Sequence, residues 1–339
     1  MTRTARSIAA TLAAIALLAA LAGCGSSSTS KGSGSNKFRV VLDWTPNTNH
    51  TGLYVAQAKG WYRDAGLGVT ITQPGQDSTS IQQLAAGKAD VVVSTQEEVI
   101  AARAQGIPVV SVAAILQHNT SSLVALKKSG INGIGDLAGH TYGGYGGPLE
   151  ESLVKKLTAC GGGDPSTVKI VQAGDADYRI GMQRGDYDFV WIFDGWDGIR
   201  YKDIDKLPVT SIPFIAHKDC IPDWYTPVLA TSEKVIKDRP DQLRSFMDAT
   251  YQGYRFAISA PKASASVLDK AVPELDPKLV GLSAAYLAPR YADDPAKWGH
   301  QDLSVWNHMA KFVQESGMTK KAIDPKAAYT TRFLPEAAR

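Results

Sequence analysis

Basic runs, histidine clusters and thiols are scarce in this chain, and each shortage closes off a class of function. Lys and Arg total 36 against 33 Asp and Glu, a net charge of +3 in 339 residues. No basic run interleaved with aromatics occurs, which argues against a nucleic-acid surface. His50, His118, His140, His217, His300 and His308 form neither a His-x-x-x-His pair nor a Cys/His cluster, so their spacing supports no metal site. Neither a Gly-x-Ser-x-Gly elbow nor a phosphate loop ending in Gly-Lys-Ser/Thr is present. Nothing in these patterns demands an enzyme or a cofactor. Cysteines are limited to Cys24, Cys160 and Cys220.

What is present starts with the N-terminus. Arg3 and Arg6 precede an apolar run from Ile8 to Leu21 that ends in Leu21-Ala22-Gly23-Cys24. A positive flank, a short apolar core and small residues define an export signal, and the core is too short for a permanent membrane span. The ending resembles the bacterial lipoprotein cleavage box. That resemblance implies removal of residues 1–23, lipidation of Cys24 and a membrane-anchored protein on the extracytoplasmic face. Loss of the two arginines takes the net charge from +3 to +1. Residues 24–37, rich in Ser and Gly, read as a flexible tether. In an exported protein Cys160 and Cys220 are free to form a disulfide or to stay as two partly buried thiols.

From Phe38 onward short β-branched runs alternate with helical patterns. Phe38–Leu42, Val69–Thr72, Ala89–Val93 and Val109–Leu116 read as strands, with helices at Ser80–Ala86 and Glu97–Ala104. Such βα repetition predicts a parallel sheet covered by helices. After the polar interruption at Gln117–Ser122 a second series of the same rhythm begins. From Ser232 the pattern is mostly helical, with prolines at the starts Pro240, Pro261 and Pro277. The expected architecture is α/β with two lobes: residues 38–117, then 118–224, then a return of 225–339 to the first lobe with a helical tail. The crossings near Gln117–Ser122 and Asp223–Thr226 are expected to form a hinge beside a cleft.

Three stretches at strand ends concentrate polar and aromatic groups, and ligands of open α/β sheets bind at carboxyl strand ends. Asp43-Trp44-Thr45-Pro46-Asn47-Thr48-Asn49-His50-Thr51-Gly52 joins a strand to a helix. In it Asp43 can accept from an exocyclic amine or be satisfied by local amides, and His50 can serve a ligand or merely open the helix. Gly143-Gly144-Tyr145-Gly146-Gly147-Pro148-Leu149-Glu150-Glu151 either brings backbone close to a ligand or makes a tight turn whose carboxylates complement the helix dipole. Those acids already sit where a free phosphate would bind. In Trp191-Ile192-Phe193-Asp194-Gly195-Trp196-Asp197-Gly198, Trp191 continues an apolar strand, whereas Phe193, Asp194 and Trp196 can line a cleft or pack.

The first two of these stretches, together with Gln96-Glu97-Glu98-Val99, Gln117-His118-Asn119-Thr120-Ser121 and Asp223-Trp224-Tyr225-Thr226-Pro227, resemble in order the ThiY-type substrate-binding proteins of ABC transporters. The resemblance implies a two-lobed periplasmic-binding-protein type II fold. It also implies a thiamine-precursor amino-pyrimidine held between the lobes, a permease with its ATPase as partners, and no catalysis. Carried onto this chain, it makes Trp44, Tyr145 and Tyr225 flat apolar faces. Asp43, Asn47, Glu150 and His118 become donors and acceptors, and His50, Glu97, Asp194 and Trp196 are further wall residues. The related eukaryotic pyrimidine synthases use pyridoxal phosphate and a cysteine-rich segment, which this chain lacks. Asp194 stands where the ThiY pattern leads one to expect an aromatic.

Overall fold

The computed structural model describes residues 36–75, 78–174 and 177–339. The export signal, Cys24 and nearly all of the tether lie outside them. No helix among the described residues is long and apolar enough to cross a membrane.

Two five-stranded sheets organise the chain. The first takes β1 (Lys37–Val41), β2 (Gly68–Thr72), β3 (Val91–Ser94), β4 (Val109–Ala114) and, far later, β10 (Val228–Ser232). The second takes β5 (Ser121–Leu126), β6 (Thr141–Gly144), β7 (Lys169–Gln172), β8 (Phe189–Phe193) and β9 (Val209–Pro213). Their orders, β2-β1-β3-β10-β4 and β7-β6-β8-β5-β9, are the same pattern twice. β3, β4, β5 and most of β10 are buried along their lengths. Apolar runs of this kind suit strands covered on both faces, and β4, last in its sheet, is bridged in addition by Tyr329 and Gly299.

The sheets are mixed, where the βα rhythm predicts parallel ones. The strands that break the rule are those that follow a crossing. β10 runs antiparallel to β3 and β4, and β5 antiparallel to β8 and β9. Each begins opposite the carboxyl end of a neighbour, Val228 beside Ser94 and Ala114 and Ser121 beside Phe193. A chain arriving from the other sheet enters at that end and can only run away from it.

The crossings, 115–120 and 214–227, are tied together. His118 Nδ1 meets Asp223 at 2.5 Å, and its Nε2 meets Asp293 at 3.1 Å. Asn119 N–H donates to Asp223 at 2.9 Å, and Asp293 N–H donates to Gln117 at 3.0 Å. One imidazole therefore joins both crossings to the tail. A continuous apolar cluster also spans the sheets, running from Val92, Ala114 and Val228 through Trp224 and Tyr225 to Leu123 and Phe189. Cys160, at the end of the Pro148–Cys160 helix, and Cys220, ahead of the second crossing, form a disulfide.

Tail helices cover the first sheet. The Thr51–Ala58 and Pro240–Ser259 helices approach so closely that a Cβ on Gly253 would lie 2.0 Å from Gly52 O. Gly52, the last residue of the first polar stretch, is thus small for helix packing.

Two expectations follow. Gly253→Ala forces that contact apart and should lower unfolding free energy by roughly 2–3 kcal/mol in urea titration. Gly281→Ala, where nothing lies within 4 Å of the new Cβ, should be neutral or stabilise by up to about 1 kcal/mol; equal losses would remove the close approach. The second concerns His118, held up at about 9 mainly by its bond to Asp223, with burial opposing and Asp293 adding. A folded value above the unfolded one of about 6.5 means stabilisation that is complete below about pH 6.5 and lost as pH rises through about 9. The half-exposed ring makes the effect modest. The thermal midpoint should fall between pH 6.5 and 9.5 more steeply in the native protein than in His118→Gln, and parallel curves would refute the clamp.

Candidate functional site

Carboxyl strand ends from both sheets form the edge that the crossings join. After β1, Asn47 accepts from Asn49 N–H at 2.9 Å, and His50 Nδ1 accepts from Asn47 N–H at 3.1 Å. This is a capping box with histidine in the usual Glu position. Because Nδ1 accepts, the ring proton sits on Nε2 and donates to Asp43 Oδ1 at 2.7 Å. His50 is fully buried, so it orients Asp43 rather than presenting its own face. Asn47 is buried and spent on the turn. Trp44 is the large apolar group this turn offers to solvent, 53% exposed.

Beside it, after β3, stand Glu97 and Glu98 at the start of the Gln96–Ala104 helix. Burial pushes Glu97 up to about 7, with Glu98 adding; its own amide and Thr95 oppose, and the Trp224 indole draws it back without closing a full hydrogen bond. Its Oε2 has no partner. Burial also raises Glu98, with the Asp43 carboxylate adding, while the Ser94 hydroxyl, donating at 2.5 Å, opposes. Asp43, Glu97 and Glu98 therefore form an acidic wall. Glu98 is the member that spacing did not single out; its signal was Ser94, one turn earlier and able to reach back to it.

On the second sheet, Glu150 is consumed by its own loop. Oε1 accepts from Tyr142 OH at 3.0 Å and Tyr145 N–H at 3.2 Å, and Oε2 from Gly146 N–H at 2.7 Å and Gly147 N–H at 3.1 Å. These fill a carboxylate's four lone-pair positions. Gly146 takes φ +103°, which an L side chain rarely adopts. The turn holds Tyr145 outward, 63% exposed. Glu150 thus builds the loop that carries Tyr145.

After β8 the chain winds into π-helical turns, with Ile199 N–H reaching Asp194 O and Asp205 N–H reaching Arg200 O. Such turns recur at functional positions. Asp194 accepts from Ser122 Oγ at 2.6 Å and Ser211 Oγ at 3.1 Å. Burial raises it, while both serines and Arg290 oppose. Trp196 packs against the first sheet's core. His118 has both nitrogens engaged in the clamp. Tyr225 is buried, its hydroxyl accepting from Asp302 N–H at 2.8 Å. The structure therefore gathers Asp43, Trp44, Asn47 and His50 in one turn with Glu97 alongside, and commits His118, Glu150 and Tyr225 to local bonds. None of the turns at 43–50, 94–98, 115–122, 143–150 and 193–197 contains Lys or Arg. Among the described residues no cluster of His, Cys, Asp and Glu is arranged to hold a metal.

Known proteins agree with this organisation. The formylaminopyrimidine-binding protein of Halalkalibacterium halodurans is 26% identical over 320 residues, 92% of this chain and 94% of that protein. The 4-amino-5-hydroxymethyl-2-methylpyrimidine phosphate synthase THI13 of Saccharomyces cerevisiae is 30% identical over 238 residues, 67% of this chain and 68% of that one. Among solved structures, the periplasmic aliphatic sulphonate binding protein SsuA of Escherichia coli superposes with a TM-score of 0.67 at 15% identity, covering 87% of this chain and 92% of that one. The fold is the two-lobed periplasmic-binding-protein type. A family profile described as NMT1/THI5 like matches residues 47–264, and the chain belongs to the NMT1/THI5-like family.

Proposed function

We propose that this protein is the substrate-binding component of an ABC importer and captures a thiamine-related amino-pyrimidine, of hydroxymethylpyrimidine or formylaminopyrimidine type, between its lobes. In this reading the lobes are residues 38–117 with 225–339, and 118–224. The protein is lipid-anchored through Cys24 on the extracytoplasmic face and hands its ligand to a permease. The observation that carries it is the character of the strand-end edge: two exposed aromatic rings, Trp44 and Tyr145, one from each sheet, in turns that carry acids and neither Lys nor Arg. Aromatic faces suit a flat heterocycle, and carboxylates accept from ring amino groups. An oxyanion such as a sulfonate needs Arg, Lys or free amides, and Glu150 already occupies the amides of the glycine turn. The formylaminopyrimidine-binding relative supports the same ligand class.

A second reading, a pyrimidine-forming enzyme, draws on the synthase relatives. A Schiff-base lysine would give an absorbance band with pyridoxal phosphate. Titration calorimetry separates these readings. Formylaminopyrimidine should bind, with alkanesulfonate and nitrate inert, and Trp44→Ala should weaken binding about tenfold or more through loss of ring stacking and burial. Tight sulfonate binding without amino-pyrimidine binding, or the pyridoxal band, would overturn the proposal.

A further inference from the structure

The Pro277–Leu287 helix touches both halves of the strand-end edge through one residue. Ser283 is fully buried. Its hydroxyl bonds to Thr48 Oγ1 in the turn after β1 and donates to Gly195 O in the π-helical segment after β8. Thr48 itself is pinned, because its carbonyl accepts from Tyr291 OH at 2.6 Å, and the next carbonyl, of Asn49, accepts from Tyr254 OH at 2.7 Å. Gly195 is equally confined: a Cβ there would lie 2.9 Å from Leu287 Cδ2 and 3.3 Å from Tyr286 Cδ1. Beyond it Trp196 packs on the first sheet's core. The second sheet's turn is therefore docked on a helix of the first, at a seam that the crossings do not cover.

We infer that Ser283 is a positioning residue that latches the two walls of the cleft together by joining Thr48 to the Gly195 carbonyl. A hydroxyl can donate once while accepting, so a single serine serves both walls. Removing it leaves a buried carbonyl without its donor only while the seam is shut. Opening lets water reach that carbonyl, so loss of the hydroxyl destabilises the closed arrangement selectively.

The latch is testable without ligand, which separates it from the functional proposal on which its consequence for binding rests. In native-state hydrogen exchange of the ligand-free protein, Ser283→Ala should accelerate exchange of residues 193–204 about tenfold, the scale of one or two net hydrogen bonds. The inner strands β3 and β10 should keep their protection. Gly195→Ala, which wedges the same seam from the other side, should act in the same direction and guards against misfolding of the first variant. With formylaminopyrimidine as probe, Ser283→Ala should raise the dissociation rate about tenfold and leave association unchanged. Unaltered exchange at 193–204 in both variants, or acceleration no greater than that of β3, would overturn the latch.

Discussion

Everything distinctive in this molecule follows from where the chain passes between its two sheets. It crosses at the carboxyl ends of the strands, so β5 and β10 enter their sheets reversed. The same edge must then hold both a joint and a site. This explains why residues brought together at the edge have unlike roles: His118 is spent on Asp223 and Asp293, whereas Asp194, whose amide bonds to Thr120 O at 2.9 Å, faces the serines of β5 and β9. A carboxyl-end crossing also lets an apolar cluster run through the joint without interruption. Such a cluster favours motion about the crossings over separation of two independent bodies.

The turns of this edge carry acids and neither Lys nor Arg. Asp43, Glu97 and Glu98 share the first wall, and burial raises both glutamates. Glu97, pushed up to about 7, can donate as well as accept near that pH. In the proposed function this wall faces a ring edge that alternates donors and acceptors. Sulphonate-binding neighbours share the fold at low identity, and fold alone carries no ligand.

Strand positions were legible because β-branched runs such as Val91–Val93 have few alternatives. The lobe pattern was legible because it repeats. The antiparallel strands were not, since β10 in isolation reads like any other buried run and only its entry point sets its direction. The π-helical winding after Asp194 was equally hidden, because Trp196 and Ile199 satisfy several helical periods. At the edge, spacing located the turns but not the duty of each side chain. Glu150 looks like a ligand group until the amides of 145–147 are seen to point at it, and His50 until its two nitrogens are found spent on Asn47 and Asp43. Polar residues in a strand-end turn either meet the ligand or hold the turn, and composition does not tell these apart. Hydrogen-bond partners show which ones hold the turn, and the large side chains left exposed are Trp44 and Tyr145.

The tail is the part whose role changes most. Its amphipathic helices read as a cover for the first sheet, which they are, but they also fix the site from a distance. Tyr254, Ser283 and Tyr291 all bond to the turn at 47–50, the farthest 243 positions along the chain. The eight-residue turn 43–50, with six polar side chains, has many conformations of similar energy, and its own capping box removes only some of them. Three hydroxyls arriving from the tail remove the rest, because each would lose its partner if the turn moved. The chemistry that selects a ligand is thus written in the strand ends, while the precision with which it is held is written in the tail. Variation in the tail that leaves every strand-end residue unchanged can therefore alter affinity.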